Sequence, residues 1–94
     1  RPVRKWHSGD REVSLYMGLA FAFQKNADLA IKEFQNAIRI DPEFNLPYYY
    51  TGVQYYSSHP NLSKKNLEKF LALSLENPES QNLVGKAKQL LGKL

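Results

Sequence analysis

From residue 11 onward, apolar positions recur at three- and four-residue steps with polar residues between them, the period of an amphipathic helix. The spacing predicts a first helix over 11–25. On it Leu15, Tyr16, Leu19, Ala22 and Phe23 fall on one side, and Met17, Gly18 and Phe21 on the other. Lys25-Asn26 reads as a short turn, with Asn26 as the residue that tolerates a left-handed backbone. A second helix follows over 27–40 and stops at Asp41-Pro42. Asp10 or Ser8 is the expected cap of the first helix, and Asn45 that of the third, which carries Pro47 in its first turn and runs to about Ser57. Ser58-His59-Pro60-Asn61 interrupts the pattern. A fourth helix is predicted over 63–76, and a fifth from the Asn77-Pro78 cap to about residue 92. No stretch alternates apolar and polar residues between turn signals, so the expected fold is all-α with five helices.

The pattern also repeats at long range. Met17, Gly18, Phe21, Ala30, Phe34, Ala37 and Pro42 are followed by Thr51, Gly52, Tyr55, Asn66, Phe70, Leu73 and Pro78. Gly18 and Gly52 lie 34 residues apart; Phe34 and Phe70, like Pro42 and Pro78, lie 36 apart. A unit returning at this period with small, aromatic and proline positions in step is a stacked helical repeat. Glycine in mid-helix costs about 1 kcal/mol relative to alanine, so its recurrence points to a close backbone approach. Phe21, Phe34, Tyr55, Phe70 and Leu91 are the expected core.

These residues resemble the tetratricopeptide repeat, whose pattern is W-x2-L-G-x2-Y, A-x3-F and P. Residues 11–44 form one unit with Ser14 in the Trp position. Residues 45–78 form a second, in which Asn66 and Leu73 replace small residues and two extra residues fall in 58–63. Residues 79–94 resemble the capping helix that ends such arrays. The resemblance implies about two and a half repeats in a short right-handed solenoid. It also implies a partner-binding concave face lined by the first helix of each pair. Carried onto this chain, the candidate positions are Leu15, Leu19 and Phe23, then Leu46, Tyr49, Tyr50, Val53 and Tyr56. A subgroup of the family clamps a chaperone's C-terminal carboxylate with Lys, Arg and Asn. Here those positions hold Leu15, Leu19, Tyr49, Tyr50 and Val53, so that activity is not expected. Leucine, valine and tyrosine suit an apolar or amphipathic protein or peptide. The same tyrosines also read as core, because a helix apolar all round is normally covered on both sides.

Charge separates the ends from the body. Residues 1–11 carry a net +3, residues 12–78 a net −1 and residues 79–94 a net +2, making the total of +4. Residues 1–10 are read as a flexible basic arm with Val3 and Trp6 as its large apolar side chains. The near-neutral body offers no continuous basic stripe for nucleic acid. No apolar run approaches the ~20 residues of a membrane span. The absence of cysteine excludes disulfides and thiol nucleophiles. His7 and His59 lack partners at metal-ligand spacing, so no metal, cofactor or catalytic residue is expected. Lys64, Lys65 and Lys69 read as a solvated helix face. The chain opens on Arg1 rather than Met and is expected to be a piece of a longer protein. The first helix has no polar stripe like that of Glu79, Asn82, Lys86, Gln89 and Lys93 on the fifth. Three covers for the open side of the first helix are read from the sequence: the arm folding back with Val3 and Trp6, a preceding repeat, or a second copy of the chain. A neighbouring repeat in the parent protein is the expected one, with weak homodimerisation of the fragment through this helix as the consequence. An alternative to a binding module is therefore a structural element without a ligand of its own.

Overall fold

A computed structural model describes residues 9–94; Val3, Trp6, His7, Ser8 and the rest of the basic arm up to residue 8 lie outside the described residues. Five α-helices follow one another: α1 (Asp10–Phe23), α2 (Ala27–Ile40), α3 (Leu46–Tyr55), α4 (Pro60–Leu73) and α5 (Gln81–Gly92). Two 3-10 turns, Ser74–Glu76 and Pro78–Ser80, join α4 to α5. No strand occurs among the described residues. α1 packs along α2 and α3 along α4, while α2 touches α3 and α4 touches α5.

The α1–α2 turn shows how local chemistry sets a boundary. Lys25 donates to the Ala22 carbonyl at 2.9 Å and Asn26 to the Phe21 carbonyl at 2.9 Å, the paired bonds that close a helix end. The left-handed residue is Lys25, at φ 64°, and not Asn26. Asn26 instead caps α2, its side-chain oxygen accepting from the Leu29 amide at 3.3 Å. The other expected caps differ too. Gly9 takes the α1 cap position and Asp10 lies in the first turn. Asn45 makes no capping bond. Its buried amide donates to Ser74 Oγ at 3.0 Å and Ser80 Oγ at 2.9 Å, tying the start of α3 to the linker before α5. Pro78 opens a 3-10 turn, so α5 begins three residues later.

Two apolar clusters fill the spaces between helices. Leu15, Ala30, Phe34, Ala37 and Phe44 form one; Tyr49, Leu67, Phe70 and Ala87 form the other. Phe34 and Phe70 are fully buried as expected, whereas Phe21, Tyr55 and Leu91 are only half-buried. Both mid-helix glycines sit at close approaches. A Cβ on Gly18 would lie 2.5 Å from the Phe34 ring and 3.1 Å from the Ala30 carbonyl oxygen. One on Gly52 would lie 2.7 Å from Leu67 and 3.3 Å from the Ser63 carbonyl oxygen.

Those glycine contacts correct the repeat register. Ser63 and Leu67 do for Gly52 what Ala30 and Phe34 do for Gly18, a step of 33 residues. The same step carries Ala27–Ile40 onto Pro60–Leu73. Asn66 is therefore not the small residue of the second pair; Ser63 is, fully buried and donating to the Gly52 carbonyl at 2.7 Å. The extra residues belong to the linker between α4 and α5, not to 58–63. That linker holds both 3-10 turns, whereas Asp41–Asn45 alone joins α2 to α3.

Along α5, Asn82, Lys86 and Gln89 are exposed, Ala87 is buried, and Leu83, Val84, Leu90 and Leu91 are half-buried against the second cluster.

Candidate functional site

Phe44 and the tyrosines set the geometry between the pairs. Arg11 reaches from α1 to the end of α2, donating from Nη1 to Asp41 Oδ2 at 2.6 Å and from Nε to Glu12 Oε2 at 2.8 Å. Its guanidinium carbon lies 4.2 Å from the Phe44 ring centroid, a cation–π contact that holds Phe44 over the first cluster. The next residues, Asn45 to Pro47, start α3 against α2. Tyr50 then stacks on Phe34 with centroids 5.8 Å apart and planes at 24°. Tyr49 meets Tyr50 edge-on at 5.1 Å and Phe70 at 5.3 Å. Consecutive tyrosines thus bridge the two clusters, which the helical period alone did not reveal.

The eight candidate positions divide by burial. Leu15 and Tyr49, at 3% and 7% exposure, are core side chains and cannot meet a partner directly. The period placed them on the face but could not say that the face is covered there. Leu19, Leu46 and Tyr50 are half-buried and packed against the clusters. Tyr56 is half-buried, Val53 is exposed, and Phe23 stands 91% exposed at the end of α1. Because α1 and α3 run in register through Gly18 and Gly52, Val53 occupies on α3 the place of Leu19 on α1. Of the eight candidates, Phe23 and Val53 are thus the open positions, and Leu19 and Tyr56 are partly open.

Burial pushes the Tyr48, Tyr49 and Tyr50 phenols above the ordinary tyrosine range; the Asp41 carboxylate adds to this at Tyr48 and the neighbouring Tyr50 at Tyr49. A pKa raised by folding contributes stability that is intact below the unfolded value of about 10 and is lost as pH rises through the folded values. In an alkaline absorbance titration, part of the signal of the six tyrosines should therefore come in late, together with loss of helical circular dichroism. Ordinary titration of all six with the helices intact would contradict the burial of this cluster.

A second concavity was not anticipated from sequence. It is a groove of about 650 Å³ between α2, α3 and α4, lined by Gln35, Tyr48, Tyr55, Leu62, Asn66 and Lys69 among others. Tyr48 Oη donates to the Pro42 carbonyl at 3.0 Å on its α2 side. Asn66 drew notice in the sequence only through the misread register, which gave it the small-residue position that Ser63 in fact holds.

Among the described residues, no three His, Cys, Asp or Glu side chains converge as a metal site would require. His59 instead lies against the Tyr55 ring at 5.3 Å, with Nδ1 2.8 Å from Ser58 Oγ. No helix of the described residues is long and apolar enough to cross a membrane. The chain is an all-α protein of paired helices, and no family model, curated protein or solved structure matches it.

Proposed function

We propose that the chain is a protein- or peptide-binding module of tetratricopeptide-like design without catalytic activity, and that the α1–α3 face is its concave binding surface. The observation that carries this reading is Phe23, 91% exposed in the last turn of α1, with Val53 exposed and Leu19 and Tyr56 half-exposed on the two helices that the resemblance assigns to the face. Large apolar side chains left in water on one face are the usual mark of an interaction site. Tyr56 adds a hydroxyl to apolar area, the combination favoured at interfaces. The expected ligand is an apolar or amphipathic peptide, helical or extended.

The test is selection of a phage-displayed random peptide library on the immobilised chain. Enriched peptides should be rich in apolar and aromatic residues. Phe23→Glu should abolish capture while leaving the melting curve unchanged, because that ring is 91% exposed; Val53→Glu, at a side chain 36% exposed, should abolish capture with the fold retained and a small fall in Tm. Absence of enrichment, or capture indifferent to both substitutions, would overturn the reading.

A further inference from the structure

The molecule contains one example of how a helix pair docks on the pair before it, and that example can be laid over its own first helix. α3 follows a second helix, α2; among the described residues, α1 follows none. The 34-residue step from Gly18 to Gly52 takes Val13 to Pro47, Tyr16 to Tyr50 and Met17 to Thr51. Pro47 and Thr51 are fully buried, and Tyr50 stacks on Phe34 of the preceding α2. Their counterparts on α1 are open: Val13 is 56% exposed, Tyr16 63% and Met17 45%. These three side chains, with exposed Ala20, form one stripe along α1.

The grooves correspond as well. A shallow groove between α1 and α2 is lined by Ser14, Glu33 and Asn36, together with Val13, Met17 and Ile40. In the second pair the counterparts of Ser14, Glu33 and Asn36 are Tyr48, Asn66 and Lys69, which line the larger groove. That groove has a further wall, Gln35, contributed by the preceding α2. The first pair's groove lacks that wall among the described residues.

We propose that the outer face of α1 is a docking face for the second helix of a further helix pair of the same pattern, whose aromatic ring takes under Tyr16 the place Phe34 takes under Tyr50. A second copy of this chain cannot supply that second helix. Its own second helices are already covered: Phe34 lies at 0% exposure beneath Tyr50, and Phe70 at 0% against Tyr49 and the α5 cluster. The face is distinct from the Phe23–Val53 surface, so failure of peptide capture there would leave this proposal standing.

The experiment extends the full chain by a second copy of residues 11–44, inserted between Asp10 and Arg11. The insertion keeps the repeat in phase and presents a Phe34 to the internal Tyr16. The expected result is a single unfolding transition with a Tm at least about 5 °C above that of the unaltered chain. Tyr16→Glu in the internal unit should cancel that gain, whereas in the unaltered chain it should leave the Tm almost unchanged. Two separate transitions, no gain, or a gain that survives Tyr16→Glu would overturn the proposal. So would sedimentation of the unaltered chain as a dimer that Tyr16→Glu splits, because a second copy would then hold the face.

Discussion

Phe34→Ala is expected to destabilise the protein by about 3–5 kcal/mol, the range found when a fully buried aromatic is truncated to alanine. Phe34 is at 0% exposure, and its ring is gripped from two sides. Its edge faces Gly18 of α1, and its plane faces Tyr50 of α3. Truncation therefore opens a cavity between α1, α2 and α3 at once, where collapse of any one helix would strain its contacts with the others. A domain of this size has a total stability of about 5–10 kcal/mol, so the change removes a large part of it. At roughly 4–8 °C per kcal/mol the melting temperature should fall by about 12–40 °C, measured by far-ultraviolet circular dichroism. Phe23→Ala is the contrast: that ring is 91% exposed, and its loss should leave the melting curve where it was. If the two variants melt alike, the assignment of Phe34 to the centre of the first cluster is wrong.

α2 was legible in the sequence to the residue, and the reason is chemical. The Lys25-Asn26 turn stands where it must start, although Asn26 is the cap and not the left-handed residue that the sequence suggests. Asp41-Pro42 stands where it must stop, and Ala30, Phe34 and Ala37 mark the buried side between them. α4 was legible as a helix but not in register. Pro60 was read with the break before it, although proline suits the first turn of a helix and here opens α4. Phe70 was matched to Phe34 because both are phenylalanine. Leu67 occupies the equivalent place, and the small residue beside it is a serine whose hydroxyl bonds to the Gly52 carbonyl. Residue type misled where a hydrogen bond allowed a polar side chain into a fully buried position.

The candidate face was legible only as a face. Helical spacing groups Leu15, Leu19 and Phe23 on one side of α1, but burial runs from 3% at Leu15 to 91% at Phe23 along that one side. The difference arises because Leu15 lies over the first cluster, whereas Phe23 sits in the last turn of α1, outside both clusters. The stripe of Val13, Tyr16 and Met17 was harder still. It cuts across the two sides into which the period divides α1, and only its comparison with buried Pro47, Tyr50 and Thr51 gives it meaning.

Gly18→Ala should be destabilising by up to about 2 kcal/mol, although alanine is the better helix former by about 1 kcal/mol. The propensity gain is outweighed because the added Cβ would lie 2.5 Å from one Phe34 ring carbon and 2.6 Å from another. A buried aromatic ring cannot swing aside as a flexible chain end can. The Ala30 carbonyl oxygen, 3.1 Å away, also blocks a simple slide of α1 along α2. The helices must part, and overpacking of this kind costs about 1–3 kcal/mol before relaxation elsewhere. The mechanism is separable from a general intolerance of α1 by a double-mutant cycle with Phe34→Leu. Leucine removes the ring edge that meets the new methyl group and supplies the flexible side chain that Gly52 already faces in Leu67. Gly18→Ala should therefore cost less in the Phe34→Leu background than in the parent chain, with a coupling of about 1 kcal/mol, within the range seen for residues in direct contact. Denaturant unfolding of the four proteins gives the coupling directly from their midpoints. Strict additivity would mean that Gly18 is required for some reason other than the Phe34 ring, and the account of how α1 and α2 meet would fail with it.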